Sequence, residues 1–203
     1  MQHTKDPIQQ RILESAEAVF ARQGFARATM REIATRSGVS TSNIYNYFSS
    51  KDEIFCTLVR PAARNLHQIL ERHHGKHGAD ILNMYREEYI AQETEAYISL
   101  ILARRSQLHL LLFRAEGSSL ARFREEFTDK STRLVQDYLR TMQQKHPQLS
   151  LCFTPFSIHL HTVWMFTLME EIIARHIPPG QIRQIVTEYM KFETYGWREL
   201  MKK

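Results

Sequence analysis

Thr41, Ser42, Asn43, Asn46 and Tyr47 crowd into one short stretch and carry only hydroxyls and amides, with no charge among them. On a solvent-facing helix such positions usually hold Lys, Glu or Arg. Short hydroxyls and amides in their place suit the base edges and phosphate oxygens of a DNA major groove. Thr29 and Lys51 flank the stretch at points where helices are expected to begin. Unpaired N–H groups and the helix dipole attract anions there, so both are candidate phosphate anchors.

Other residue groups that could do chemistry lack the spacing for it. Ten histidines suggest metal, and His73, His74 and His77 are the densest group. Gly75 interrupts any helix through them, and the expectation is a solvated loop. His159 and His161 are two apart on a helix and face different ways, so they cannot jointly hold one ion. Glu87-Glu88, Glu125-Glu126 and Glu170-Glu171 are adjacent and therefore not co-facial. Cys56 and Cys152 share no redox or metal spacing. No zinc-protease, nucleophile-elbow, phosphate-loop or dinucleotide pattern occurs. The sequence thus predicts no enzyme, no metal and no cofactor.

The elements that must position the polar stretch are helices. Ile8, Ile12, Ala16, Val19 and Phe20 repeat at helical spacing, and Gly24 stands where a C-cap would, with Phe25 able to fold back. Thr29 and Glu32 form a capping box, Gly38 supplies a turn tolerant of positive φ, and Ser40 caps the next short helix. Ile33, Val39, Ile44 and Phe48 point inward, and Ala34 is small where two helices cross. Ser50 and Glu53 start a long helix from Lys51 to about Arg72 that contains Pro61. Further helices are expected over Ala79 to about Arg104, Ser106–Ala115, Leu120 to about Lys145, from Pro155 to the Pro178-Pro179-Gly180 break, and from Gln181 onward. The expected fold is all-α, with about nine helices.

The composition, with 43% hydrophobic and 24% charged residues in 203, is that of a globular chain. A net charge of +5 and a pI near 9.3 point weakly to a polyanionic partner. No apolar run spans a bilayer, and the opening Met-Gln-His-Thr-Lys-Asp-Pro has no apolar signal region. The expectation is a cytoplasmic protein with no membrane partner. In the last two helices, apolar residues lie on nearly all sides, which a single chain of this size cannot bury. Val163, Ile182, Ile185, Val186, Tyr189 and Trp197 are the expected interface of a homodimer.

From Phe20…Gly24-Phe25 through Thr29…Ile33-Ala34…Gly38-Val39-Ser40…Ile44-Tyr45-Asn46-Tyr47-Phe48…Lys51…Ile54, the chain resembles the DNA-binding domain of the tetracycline-repressor (TetR) family. The resemblance covers about residues 8–58; the rest is similar in layout only. It implies a helix-turn-helix domain over residues 1–50 and a ligand-binding and dimerisation domain over 51–203. Position by position, Arg31, Thr41, Ser42, Asn43 and Asn46 fall where the family reads bases. Thr29, Tyr45, Tyr47 and Lys51 fall where it contacts phosphate. Ser42-Asn43 is more polar than in many members, so the operator sequence does not transfer. The resemblance also places Tyr85, Tyr89, His109, Phe113, Phe123, Phe127 and His159 on helices around a small-molecule cavity, with Glu88 and Gln92 as further polar groups. The implied function is a transcriptional regulator, usually a repressor, that binds a palindromic operator in double-stranded DNA and answers to a small-molecule effector. The alternative is a helical homodimer that binds a metabolite or protein without specific DNA binding.

Overall fold

The computed structural model describes residues 7–202, and among them the chain forms nine α-helices and no strand. None of these helices is long and apolar enough to cross a membrane. Two compact units divide the chain. One takes the residues up to Ala63 together with Ser106–Phe123; the other takes Arg64–Arg105 and the chain from Arg124 onward.

In the first unit, helix α1 (Pro7–Arg27) is interrupted at Gly24, whose φ of 80° lies in the left-handed region open to glycine. Phe25 then turns back and stacks on Phe20 at 5.8 Å, while Phe55 meets both rings edge-on. Helix α2 (Met30–Ser37) starts at the Thr29–Glu32 capping box and ends at Gly38, with φ 65°. The short α3 (Thr41–Ile44) is capped by Ser40, whose hydroxyl accepts from the Asn43 amide. Ile33, Ile44, Ile54 and Phe55 are fully buried beneath these helices.

The division at residue 50 anticipated from the sequence does not match these units. Helix α4 (Lys51–His74) belongs to the first unit as far as Ala63, and α6 (Arg105–Phe113) and the turn after it join that unit from Ser106. Specific bonds account for this. The Phe25 amide donates to the Arg114 carbonyl at 2.8 Å. The Ser119 amide and hydroxyl both donate to Asp52, at 2.8 and 2.7 Å.

The second unit packs the C-terminal part of α4 with α5 (Glu87–Ala103), α7 (Phe123–Lys145) from Arg124, α8 (Pro155–Ala174) and α9 (Pro179–Leu200). Helix α4 runs through Pro61 as one element and continues to His74, so His73 and His74 are helical rather than parts of a loop. The helix expected from Ala79 onward begins only at Glu87, after a 3-10 turn over Asn83–Tyr85. Arg105 closes the C-terminal end of α8, donating to the carbonyls of Ile177 (2.8 Å) and Ile172 (3.2 Å).

Candidate functional site

The polar stretch stands out from the first unit because Ile44 and Phe48 bury the opposite side of the same turn. Arg31, Ser42, Tyr45 and Asn46 are exposed, and Thr41, Asn43 and Tyr47 are half-buried. Asn46 Nδ2 donates to Asn43 Oδ1 at 3.1 Å. Each amide thereby orients the other, and Asn46 keeps one N–H and its carbonyl for an adenine edge, which presents one donor and one acceptor.

Two of the expected phosphate anchors are engaged within the protein. The Thr29 hydroxyl accepts from the Glu32 amide and gives its proton to Glu32 Oε2 at 2.9 Å. Glu32 stays ionised below the usual carboxylate range through hydrogen bonds from Gln23 and then Thr29. A carboxylate therefore occupies the end of α2 where a phosphate was expected. Lys51 Nζ donates to the carbonyls of Phe25 and Ala28, both at 2.8 Å, and lies 4.2 Å from the centre of the Phe25 ring. Partial burial lowers its pKa. Lys51 is thus a clamp that holds the end of α1 to the start of α4. The exposed cations on this unit's helices are Arg11, Arg22, Arg27, Arg31, Arg36 and Arg60.

The second unit holds a cavity of about 200 Å³. Leu66, Ile69 and Leu70 of α4, Phe127 and Val135 of α7, and Met165 of α8 give it apolar walls. Two buried carboxylates interrupt them. Glu93 of α5 accepts from Arg72 through both oxygens (2.8 and 2.7 Å) and contacts His73 Nε2 at 2.5 Å. Glu193 of α9 contacts His161 Nδ1 at 2.6 Å and accepts from Trp197 Nε1 at 3.1 Å. Burial alone would raise both carboxyls, but the bonds from His73 and Arg72, and from His161, outweigh it and hold them low. His74 is pushed well below its ordinary range, first by burial and then by His73 and His161. It stands neutral in the wall.

The expected pocket residues divide. Tyr85, Tyr89 and Phe127 line the cavity. His109 and Phe113 belong to the first unit, where their rings sit 5.7 Å apart, and Phe123 is buried in that unit as well. His159 stacks beside Phe156 at 6.5 Å instead of lining the cavity; His161, two residues on, lines it. Glu88 and Gln92 are exposed, while Glu93, one residue further round the helix, is 1% exposed. His73 and His74, expected in a solvated loop, are cavity residues. No group of three or more His, Cys, Asp or Glu among the described residues could hold a metal ion.

The expected dimer residues divide in the same way. Ile182 and Val186 are buried within the chain itself, and Tyr189 and Trp197 line the cavity. Val163 and Ile185 are half-buried. What α8 and α9 leave exposed is a different aromatic set: Phe156 (70%), Trp164 (46%), Phe192 (68%) and Tyr195 (56%).

The described residues thus form an all-helical fold with a capped helix-turn-helix in one unit and a partly polar cavity in the other. Residues 12–56 match the family described as "Bacterial regulatory proteins, tetR family". The uncharacterized HTH-type transcriptional regulator YfiR of Bacillus subtilis is 44% identical over 55 residues, 27% of either chain. A second B. subtilis regulator, YvkB, is 26% identical over 68% of this chain and 69% of its own. Among solved structures, the fatty acid degradation regulator FadR of Bacillus halodurans has a TM-score of 0.64 at 16% identity, covering 96% of this chain and 98% of its own. A TetR-like regulator from Rhodococcus has a TM-score of 0.59 at 17% identity, covering 93% and 96%. Residues 12–56 thus match the tetR family's model, and the chain as a whole shares the fold of solved TetR-like regulators.

Proposed function

We propose that the protein is a homodimeric repressor whose hold on an inverted-repeat operator is controlled by a small molecule in the cavity of its second unit, and that it acts by binding rather than catalysis. The observation that carries the control is the cavity itself. Cores are packed to crystal-like density with few voids larger than water, whereas about 200 Å³ stands open here beside Glu93, Glu193 and His74. An effector regulates only if it binds one state of the dimer better than the other. Helix α4 carries cavity residues Leu66 to His74 on the same continuous helix that Lys51 begins.

The exposed Phe156, Trp164, Phe192 and Tyr195 support pairing with a second copy, since large apolar patches on a soluble monomer are uncommon unless they bind something. An isologous dimer would set two reading helices about one turn of DNA apart, roughly 34–36 Å, and so call for a palindromic site.

The test is footprinting of the purified protein on the DNA upstream of its own gene. The expected result is protection of an inverted repeat by a dimer; cavity-wall substitutions should leave that ligand-free protection intact and change only its response to added effector. Protection of no discrete site at physiological salt would refute the operator role.

A further inference from the structure

Four buried polar atoms in the cavity wall make no hydrogen bond of ordinary geometry: His74 Nδ1, Tyr89 Oη, and the neighbouring Tyr189 Oη and Glu193 Oε1. Buried polar groups are normally satisfied, so four in one cavity mark its wall as suited to a polar guest. Glu193 is the most telling of them. Its residue is 7% exposed; His161 and Trp197 approach Oε2, and the Tyr189 hydroxyl is near enough to help hold the carboxyl low. Oε1 is left as a buried carboxylate oxygen with no hydrogen bond of ordinary geometry. Glu93 differs, because the Arg72 guanidinium takes both of its oxygens.

The charges around the cavity select the sign of the guest. Glu93 is balanced by the Arg72 guanidinium, which leaves Glu193 as the carboxylate facing a guest, and no Lys or Arg is among the described lining residues. An anionic guest would meet Glu193 with no Lys or Arg in the wall to pair its own charge. A guest that donates hydrogen bonds and carries positive charge would satisfy Oε1 and could share its other N–H groups with the Tyr89 and Tyr189 hydroxyls. Tyr89, Tyr97, Tyr189 and Trp197 add aromatic faces, which attract cations.

Size sets the rest. An enclosed apolar cavity of about 150 Å³ holds one benzene. The 200 Å³ here has room for one ring with a short chain.

We propose that the cavity binds a small aralkylammonium ion, one aromatic ring on a short chain ending in a protonated primary or secondary amine, with its N–H on Glu193 Oε1. This rests on the reading of the cavity as the effector site.

The test is calorimetric titration of the full-length protein with three near-isosteric probes: 2-phenylethylamine, 2-phenylethanol and phenylacetate. Operator affinity is measured with and without each. The ammonium probe should bind at least tenfold tighter than the alcohol, and the carboxylate should not bind measurably. Glu193→Gln should weaken the ammonium probe at least tenfold and leave the alcohol nearly unchanged. Equal or tighter binding of phenylacetate, no preference for the amine over the alcohol, or no binding of any probe would overturn the proposal. If Glu193→Gln does not fold, the wild-type order of the three probes decides alone. Tight, Glu193-dependent amine binding with no change in operator affinity would sustain the chemistry and overturn the effector role instead.

Discussion

Replacing Lys51 by Met separates two roles for one ammonium group, because Met keeps most of the side-chain stem and removes only the charge and its donors. Lys51 Nζ makes two 2.8 Å bonds to the Phe25 and Ala28 carbonyls and lies over the Phe25 ring. Hydrogen bonds that involve a charged group contribute roughly 1.5–3 kcal/mol each when buried, and an exposed cation–π contact about 0.5–1 kcal/mol. Since Lys51 is only half-buried, the lower ends apply, and the two carbonyls can recover some solvation in the variant. The expected loss of stability is about 2–3 kcal/mol. Urea unfolding of wild type and Lys51→Met, with the change read at constant m-value, measures it. The same pair is titrated with operator DNA at several salt concentrations. Removal of a phosphate contact lowers the slope of log K against log salt by about 0.9; a clamp leaves the slope unchanged, even if affinity falls. Unchanged stability together with a slope reduced by about one would refute the clamp and restore Lys51 as a phosphate contact.

Asn43→Ala and Asn46→Ala should each cost ~1–3 kcal/mol at one base position. The double variant should cost less than the sum, because each amide orients the other; strict additivity in a binding-site matrix would count against the pair. His74 has a folded pKa depressed by burial, so its contribution is complete above its ordinary value of 6.5 and is lost as pH falls. Stability should decline by up to about 1.4 kcal/mol per pH unit below that point, and His74→Phe should flatten the decline between about pH 6.5 and 5. An unchanged pH slope in the variant would contradict a buried neutral imidazole. Phe192→Glu and Trp164→Glu should yield monomers in sedimentation at micromolar concentration and abolish operator binding. A stable dimer in both variants would place the interface elsewhere.

The features legible in the sequence were those fixed by neighbours in the chain. The Thr29–Glu32 box, the left-handed Gly24 and Gly38, and the Ser40 cap all form as their spacing requires, because each partner lies within one turn. The cavity could not be read that way. Glu93 meets Arg72 and His73 across 21 and 20 residues, and Glu193 meets His161 across 32, so nothing local marks them. A one-residue error in the facing of α5 is a rotation of about 100°, enough to favour Gln92 over Glu93. Helices α8 and α9 are apolar on several sides, so sequence identified them as doubly packed but not which side met the core. Ile182 and Val186 went inward, and Phe156 and Phe192 stayed out. The signal that could have found the cavity residues is the pairing of isolated acids with histidines inside apolar helices. Lys51's second role was hidden for a related reason: its place at a helix start suits an anion, and only the fold brings the two carbonyls at the end of α1 to it.

Selection of random duplexes by the purified full-length protein at physiological salt, followed by sequencing of the bound pool, tests the central claim most directly. A homodimer that reads bases with Arg31, Thr41, Ser42, Asn43 and Asn46 should enrich an inverted repeat whose half-sites lie about one helical turn apart, and the asparagine variants should lose the preference at a symmetric pair of positions. A bound pool that stays random, with affinity no better than that for competitor DNA, would contradict it.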